Sequence, residues 1–202
     1  MNKARRKLLV AGGLFWAVVG AVLLLNGRNC LEAARPWFIG NSISWYVGSR
    51  VWSALIFAIS NAIVAILMSQ FLWALGEYWQ MPRPYFFFIV LLVISLVWLS
   101  VFPLGFFDQA DAKSLISSLH EAGSRTMFGS MAVVAIFLAT RVRTHKVLHG
   151  ALVLFPFYAL VCAVAFLTKN AAFYSAILIF ESLYIFLFMA LILWCGNRAK
   201  TT

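Results

Sequence analysis

Apolar residues fall in long unbroken runs rather than in alternation with polar ones. Six runs are each long enough to cross the hydrocarbon core of a bilayer as a helix, which takes roughly 20 residues. They cover residues 8–25, 51–75, 85–104, 123–141, 147–168 and 172–195. A transmembrane barrel would need alternating polarity on short strands, whereas these runs are apolar on every side. The pattern predicts an all-α polytopic membrane helix bundle. No polar linker separates the runs, so residues 1–202 read as a single domain. The fourth run is the shortest; its apolar part covers Met127 to Thr140 and reaches bilayer length only with Gly123 to Thr126.

Composition agrees with a membrane class: 64% of the 202 residues are hydrophobic, 11% are charged and mean hydropathy is +0.94. A soluble domain would not carry so few charges. The net charge of +10 would suit nucleic acid if the cations formed one basic face, but they scatter between the apolar runs. No nucleic-acid partner is expected; membrane lipids are. Trp37, Trp45, Trp52, Trp79 and Trp194 lie near run ends, where amphipathic rings favour the headgroup region.

Cations set the orientation. With the amino terminus in the cytoplasm, the inner segments hold Lys3, Arg5, Arg6, Lys7, Arg83, Arg141, Arg143, Lys146, Arg198 and Lys200. The outer segments hold Arg28, Arg35, Arg50, Lys113, Arg125 and Lys169, offset by Glu32, Asp108, Asp111 and Glu121. Both termini are therefore expected in the cytoplasm, and the expected location is a bacterial cytoplasmic (inner) membrane. The first run follows MNKARRK like a signal peptide, but no small-residue cleavage site follows it, so it reads as an uncleaved span.

Two outer loops are long, Asn26 to Arg50 and Gly105 to Thr126. The aromatic stretch RPWFIGNSISWYVGSR is expected to fold back onto the headgroup plane as it leads into the second span. In the second loop Leu115, Leu119 and Ala122 recur at helical spacing and Asp108 or Asp111 can cap, which predicts a helix running straight into the fourth span. Gly13, Ala17 and Ala21 repeat every four residues in the first span, a small-residue ridge that suits close packing inside the bundle or against a partner helix. Pro103 and Pro156 can kink their helices.

One acid stands out. Glu181 lies about ten residues into the last apolar run, roughly 15 Å deep at 1.5 Å per residue. A carboxylate there costs roughly 2.5 kcal/mol or more on insertion scales unless it is neutral, paired or facing a polar cavity. It reads either as a ligand-binding group or as a hydrogen-bonded joint between helices. Asn61 occupies a similar depth and is expected to hold Glu181, with Ser60 and Ser130 supplying hydroxyls nearby. Arg50 or Arg125 can reach down from the outer boundary on a long stem.

On the polar mouth of the fourth span, His120 shares a face with Ser117, Gly123 and Ser124, while Glu121 faces Arg125 at i,i+4. His120 reads as a general acid/base, a headgroup ligand or an ordinary interfacial histidine. His120 and Glu181 are the catalytic candidates. The ligand-binding candidates are Arg50, Asn61, His120, Glu121, Ser124, Arg125 and Glu181. His145 and His149 have metal-compatible spacing, but no carboxylate or cysteine adjoins them, so no metal is expected. Cys30, Cys162 and Cys195 fall at unrelated depths and imply no disulfide. No haem pair, phosphate-binding loop or hydrolase elbow is present, and no cofactor is expected.

Three pieces, GNSISWYVGS leading to IFAISN, FPLG ending the third span and SLHEAGSRTMF opening the fourth, resemble the Frag/DRAM/Sfk superfamily of six-span membrane proteins and its bacterial relatives of unknown function. The resemblance covers Pro36 to Glu181. It rests on Ile43, Ser44, His120, Ala122 and Phe128, with Glu181 resembling an acid in the last span of several members. Trp45 stands where the family pattern has an acid after the Ile-Ser pair. The resemblance implies a lipid-related role, since eukaryotic members act in lipid remodelling and phospholipid organisation.

The expected function is binding of a lipid or amphiphile at an externally facing polar pocket, with cations taking its phosphate or carboxylate and lipid handling or remodelling as its purpose. The alternatives are a substrate-binding subunit of a small-molecule transporter, docking through the Gly13, Ala17, Ala21 ridge, and a proton-coupled carrier using Glu181.

Overall fold

A computed structural model describes residues 2–30, 43–48, 51–101, 110–168 and 170–199. Among them every regular element is a helix: α1 (Asn2–Cys30), α2 (Ile43–Gly48), α3 (Val51–Tyr78), α4 (Arg83–Val101), α5 (Ala110–Arg141), α6 (Lys146–Leu167), α7 (Ala171–Ser175) and α8 (Ile177–Arg198). Six of these, α1, α3, α4, α5, α6 and α8, are long and apolar enough to cross a membrane. The chain is a multi-pass membrane protein. Only closed helical hydrogen bonding satisfies the backbone of such segments in lipid.

Three sequence expectations are revised or sharpened. The last apolar run is two helices, not one. The Asn170 side chain accepts from the Phe173 amide at 3.1 Å and starts α7, and Ala176 then leaves the helical basin at φ −131° and ψ 23° before α8 begins. Glu181 consequently sits about 6 Å from the start of α8 and not at its middle.

Part of the stretch leading into the second span is packed into the bundle as a helix of its own. Residues 43–48 form α2, which inserts among α1, α3 and α8 and buries Ile43, Tyr46 and Val47. The Asn26 amide donates to the Tyr46 carbonyl at 2.8 Å and to Ser53 Oγ at 3.1 Å, and Ser53 in turn donates to the Val47 carbonyl at 2.8 Å. These side chains take up carbonyls that a six-residue helix leaves open.

The small-residue ridge of α1 is not used inside the bundle. α1 buries Leu8, Ala11, Phe15, Val19, Val22 and Asn26, and Gly13, Ala17 and Ala21 are exposed on the other side. A Cβ added at Gly13 would meet nothing within 4 Å. The bulky face, with more surface to pack, is the one that docks against α3.

Close helix approach falls at other glycines. A Cβ on Gly76 would lie 2.5 Å from Tyr85 and 2.9 Å from Phe86, which fixes the crossing of α3 and α4. A Cβ on Gly123 would lie 2.6 Å from Trp98, and the Trp98 indole donates to the Leu119 carbonyl at 2.8 Å, joining α4 to α5. α3 ends in a Schellman turn: the Met81 amide bonds the Gly76 carbonyl, the Gln80 amide bonds the Glu77 carbonyl, and Gln80 takes φ 49°. Arg141 donates to the Gln80 carbonyl at 3.0 Å and ties the end of α5 to that turn.

As expected, the helix preceding the fourth span is continuous with it in α5. α6 passes through Pro156 without ending, and its buried residues are Leu148, Leu152 and Phe155, which makes it the most peripheral span. Pro103 and Asp108 lie outside the described residues, as does the Asp111 side chain.

The buried side chains form two clusters. One joins α3, α4, α5, α6 and α8, with Leu8 of α1, around Phe71, Leu72, Tyr85 and Phe188. The other joins α1, α2, α3 and α8 around Phe15, Tyr46, Phe57 and Val64. Phe128 packs against both.

Gly76→Ala must displace two buried rings and is expected to destabilise by about 1–3 kcal/mol, the range for overpacking. Thermal unfolding of the detergent-solubilised protein measures it. Gly20→Ala, with nothing within 4 Å of the added carbon, should leave the transition unchanged.

Candidate functional site

Three helices present matching faces toward the seam between the two clusters. α3 offers Phe57, Asn61, Val64 and Met68; α5 offers His120, Ser124, Met127 and Met131; α8 offers Glu181, Ile185 and Met189. These spacings of three or four residues keep each set on one side of its helix. All three helices run from the same end of the bundle, so each face carries a polar residue nearer that end (Asn61 one turn below Phe57, His120 and Ser124, Glu181) and a methionine deeper in.

Between them lies a cavity of about 70 Å³, closed further by Phe15 of α1, Ile43 of α2, and Leu96 and Leu99 of α4. It has room for roughly five water molecules at ~15 Å³ each. Its methionines, Met68, Met127, Met131 and Met189, are unbranched and can repack around a guest.

Glu181 closes the cavity at the α2 end. Its Oε2 accepts the Ile43 amide at 2.9 Å, linking α8 to the first residue of α2. The opening amides of a helix have no acceptor within it, and the carboxylate supplies one. Asn61 does not hold Glu181, contrary to expectation. Its Nδ2 donates to Ser100 Oγ at 3.1 Å, and Ser100 donates its own proton to the Leu96 carbonyl at 2.8 Å. Ser100 can therefore only accept from Asn61, which leaves Asn61 Oδ1 as the presented atom. Asn61 is 3% exposed, and its Oδ1 is buried with no hydrogen-bond partner. An unmet buried acceptor costs about 1–3 kcal/mol.

Of the sequence candidates, Asn61, His120, Ser124 and Glu181 come together on this cavity. His120 is buried. Glu121 and Arg125 do not line it. They pair with each other at 2.9 Å, with side chains 41% and 58% exposed, and the Arg125 guanidinium lies 5.7 Å from the Phe166 ring centre. Helical geometry explains this separation: residues next to His120 and Ser124 necessarily point to other sides of α5. Arg50 lies outside the described residues, and the Ser117 side chain does as well. Ser60 donates to the Phe57 carbonyl of its own helix at 2.9 Å, and neither it nor Ser130 lines the cavity.

At the opposite end, His149 Nδ1 lies 2.9 Å from the Ala139 carbonyl and joins α6 to α5. No group of three or more His, Cys, Asp or Glu side chains meets among the described residues.

Compared with known proteins, the chain matches no family model, no curated protein and no solved structure. What the cavity can do follows from its own residues.

Several of those residues escaped the sequence reading. The methionines looked like ordinary core, yet Asn61 and Met68, His120 and Met127, and Ser124 and Met131 each stand seven residues apart, with Glu181 and Met189 eight apart. That recurrence was a usable signal. Tyr184 had no such mark; its hydroxyl donates to the Phe128 carbonyl at 2.8 Å and its ring meets Phe155 and Tyr158, seating α8 against α5 and α6.

Replacing Glu181 separates its two contributions. Glu181→Gln keeps an oxygen that can accept from Ile43 and should hold the thermal transition near that of the parent. Glu181→Leu removes the acceptor and should lower stability by about 1–3 kcal/mol. Equal losses in both variants would mean that the charge, and not the hydrogen bond, holds α2.

Proposed function

We propose that this protein binds a lipid or amphiphile in the cavity between α3, α5 and α8, with the polar end of the guest beside Glu181, Asn61, His120 and Ser124 and its apolar end among the methionines. The observation that carries this reading is the graded lining, repeated on three helices that run the same way. A guest with a polar head and an apolar tail matches that gradient along its length, whereas a wholly polar or wholly apolar one matches only part of it. On this reading the polar end faces outward from a bacterial cytoplasmic membrane, an orientation that the cation bias toward the termini and the 141–149 link favours. Lipid handling is also what the Frag/DRAM/Sfk resemblance implies, and four of the residues that carry it, Ile43, His120, Phe128 and Glu181, line this one cavity.

Native mass spectrometry of the purified protein should show a retained amphiphile. Ser124→Phe, which fills the polar end, should lose it, and Arg125→Ala, which removes the Glu121 pair and the Phe166 contact outside the cavity, should keep it. A parent protein that carries none, or loss on Arg125→Ala alone, would count against this site.

One observation favours a second reading, a carrier coupled to Glu181: the last transmembrane passage is broken at Ala176, five residues ahead of the acid. Broken helices beside an ionisable residue are a transporter device. Flux into proteoliposomes that survives Glu181→Gln unchanged would remove it. A transporter-subunit role would draw on the exposed Gly13, Ala17, Ala21 ridge.

A further inference from the structure

We infer that the head group taken by this cavity is an amine or ammonium, and not a phosphate or carboxylate. This rests on the amphiphile reading and narrows it to a chemical class. The sequence pointed the other way, toward Arg50 and Arg125 as anion ligands. Among the described residues, however, no Lys or Arg lines the cavity, and Arg125 is committed to Glu121 outside it. The groups that do line it include a carboxylate, Glu181, and a buried amide oxygen, Asn61 Oδ1, that has no hydrogen-bond partner.

That oxygen cannot be exchanged for a donor by turning the amide. Ser100 spends its proton on the Leu96 carbonyl and needs the Asn61 NH₂ as its donor. Beside His120 and Ser124, which can donate or accept, the cavity therefore holds two groups that only accept, the Glu181 carboxylate and Asn61 Oδ1. An ammonium carries three donors and no acceptor, which complements a carboxylate and an amide oxygen. Phe15, Phe57 and Phe128 line the same space, and aromatic rings attract a cation placed over them. A phosphate or carboxylate head would bring only acceptors and a second negative charge beside Glu181, with no described cation to offset it.

Competition among three probes with the same chain, dodecylamine, dodecanol and dodecanoate, tests this on the full-length protein in a nonionic detergent at pH 7, read by native mass spectrometry. Dodecylamine should bind at least about tenfold more tightly than dodecanoate, a discrimination one nearby charge can supply in a partly dry site. Glu181→Gln, which keeps an acceptor for Ile43, should weaken dodecylamine by about tenfold and leave dodecanol within about twofold. Equal binding of all three, tighter binding of dodecanoate, or a Glu181→Gln variant that holds dodecylamine unchanged would overturn the head-group assignment and leave amphiphile binding standing. Binding of none would overturn both.

Discussion

The start of α2 is held by one side-chain hydrogen bond, from the Ile43 amide to the Glu181 carboxylate. It joins positions 138 residues apart in the chain and meets two needs at once. The acid gains a donor in an apolar setting where an unmet carboxylate would be costly, and a six-residue helix gains an acceptor for its first amide. With α2 held there, Ile43 covers the cavity, and Tyr46 and Val47 complete the cluster shared by α1, α3 and α8. The Asn26 and Ser53 bonds secure the other end of the same helix.

The cavity exists because the two hydrophobic clusters do not merge. In lipid, burying apolar surface between helices gains little over leaving it in acyl chains, so close fit decides where helices touch. Gly76 and Gly123 bring α4 tightly against α3 and α5, and Phe15 and Val19 bring α1 onto the other part of α3. Between these contacts, the lining of flexible methionines and isolated polar groups packs less completely. A rigid Leu or Phe set at the same positions would favour a filled interior; four methionines favour one that can adjust.

Much of the fold was legible because the physics of spanning is local. Twenty apolar residues in a row have essentially one structural solution in a bilayer, so the six spans and the continuous α5 could be read directly. The break at Ala176 could not, since apolarity continues through it and only the Asn170 cap shows why a separate turn forms. The α1 ridge misled for a related reason: spacing shows that Gly13, Ala17 and Ala21 share a face, but not which face meets a neighbour. Periodicity likewise put His120 and Ser124 together and kept Glu121 and Arg125 apart from them.

The sequence by itself determined an all-helical membrane protein, the polar residues that had to be accommodated inside it, and the helix faces they share. These follow from composition and a fixed turn of 3.6 residues. Tertiary structure alone decided the partners of the buried ones: Ile43 for Glu181 and Ser100 for Asn61. Hydrogen-bond partners lie on different helices at separations no local pattern encodes. The same docking set Glu181 and Asn61 on one cavity and left Arg125 outside it, paired with Glu121.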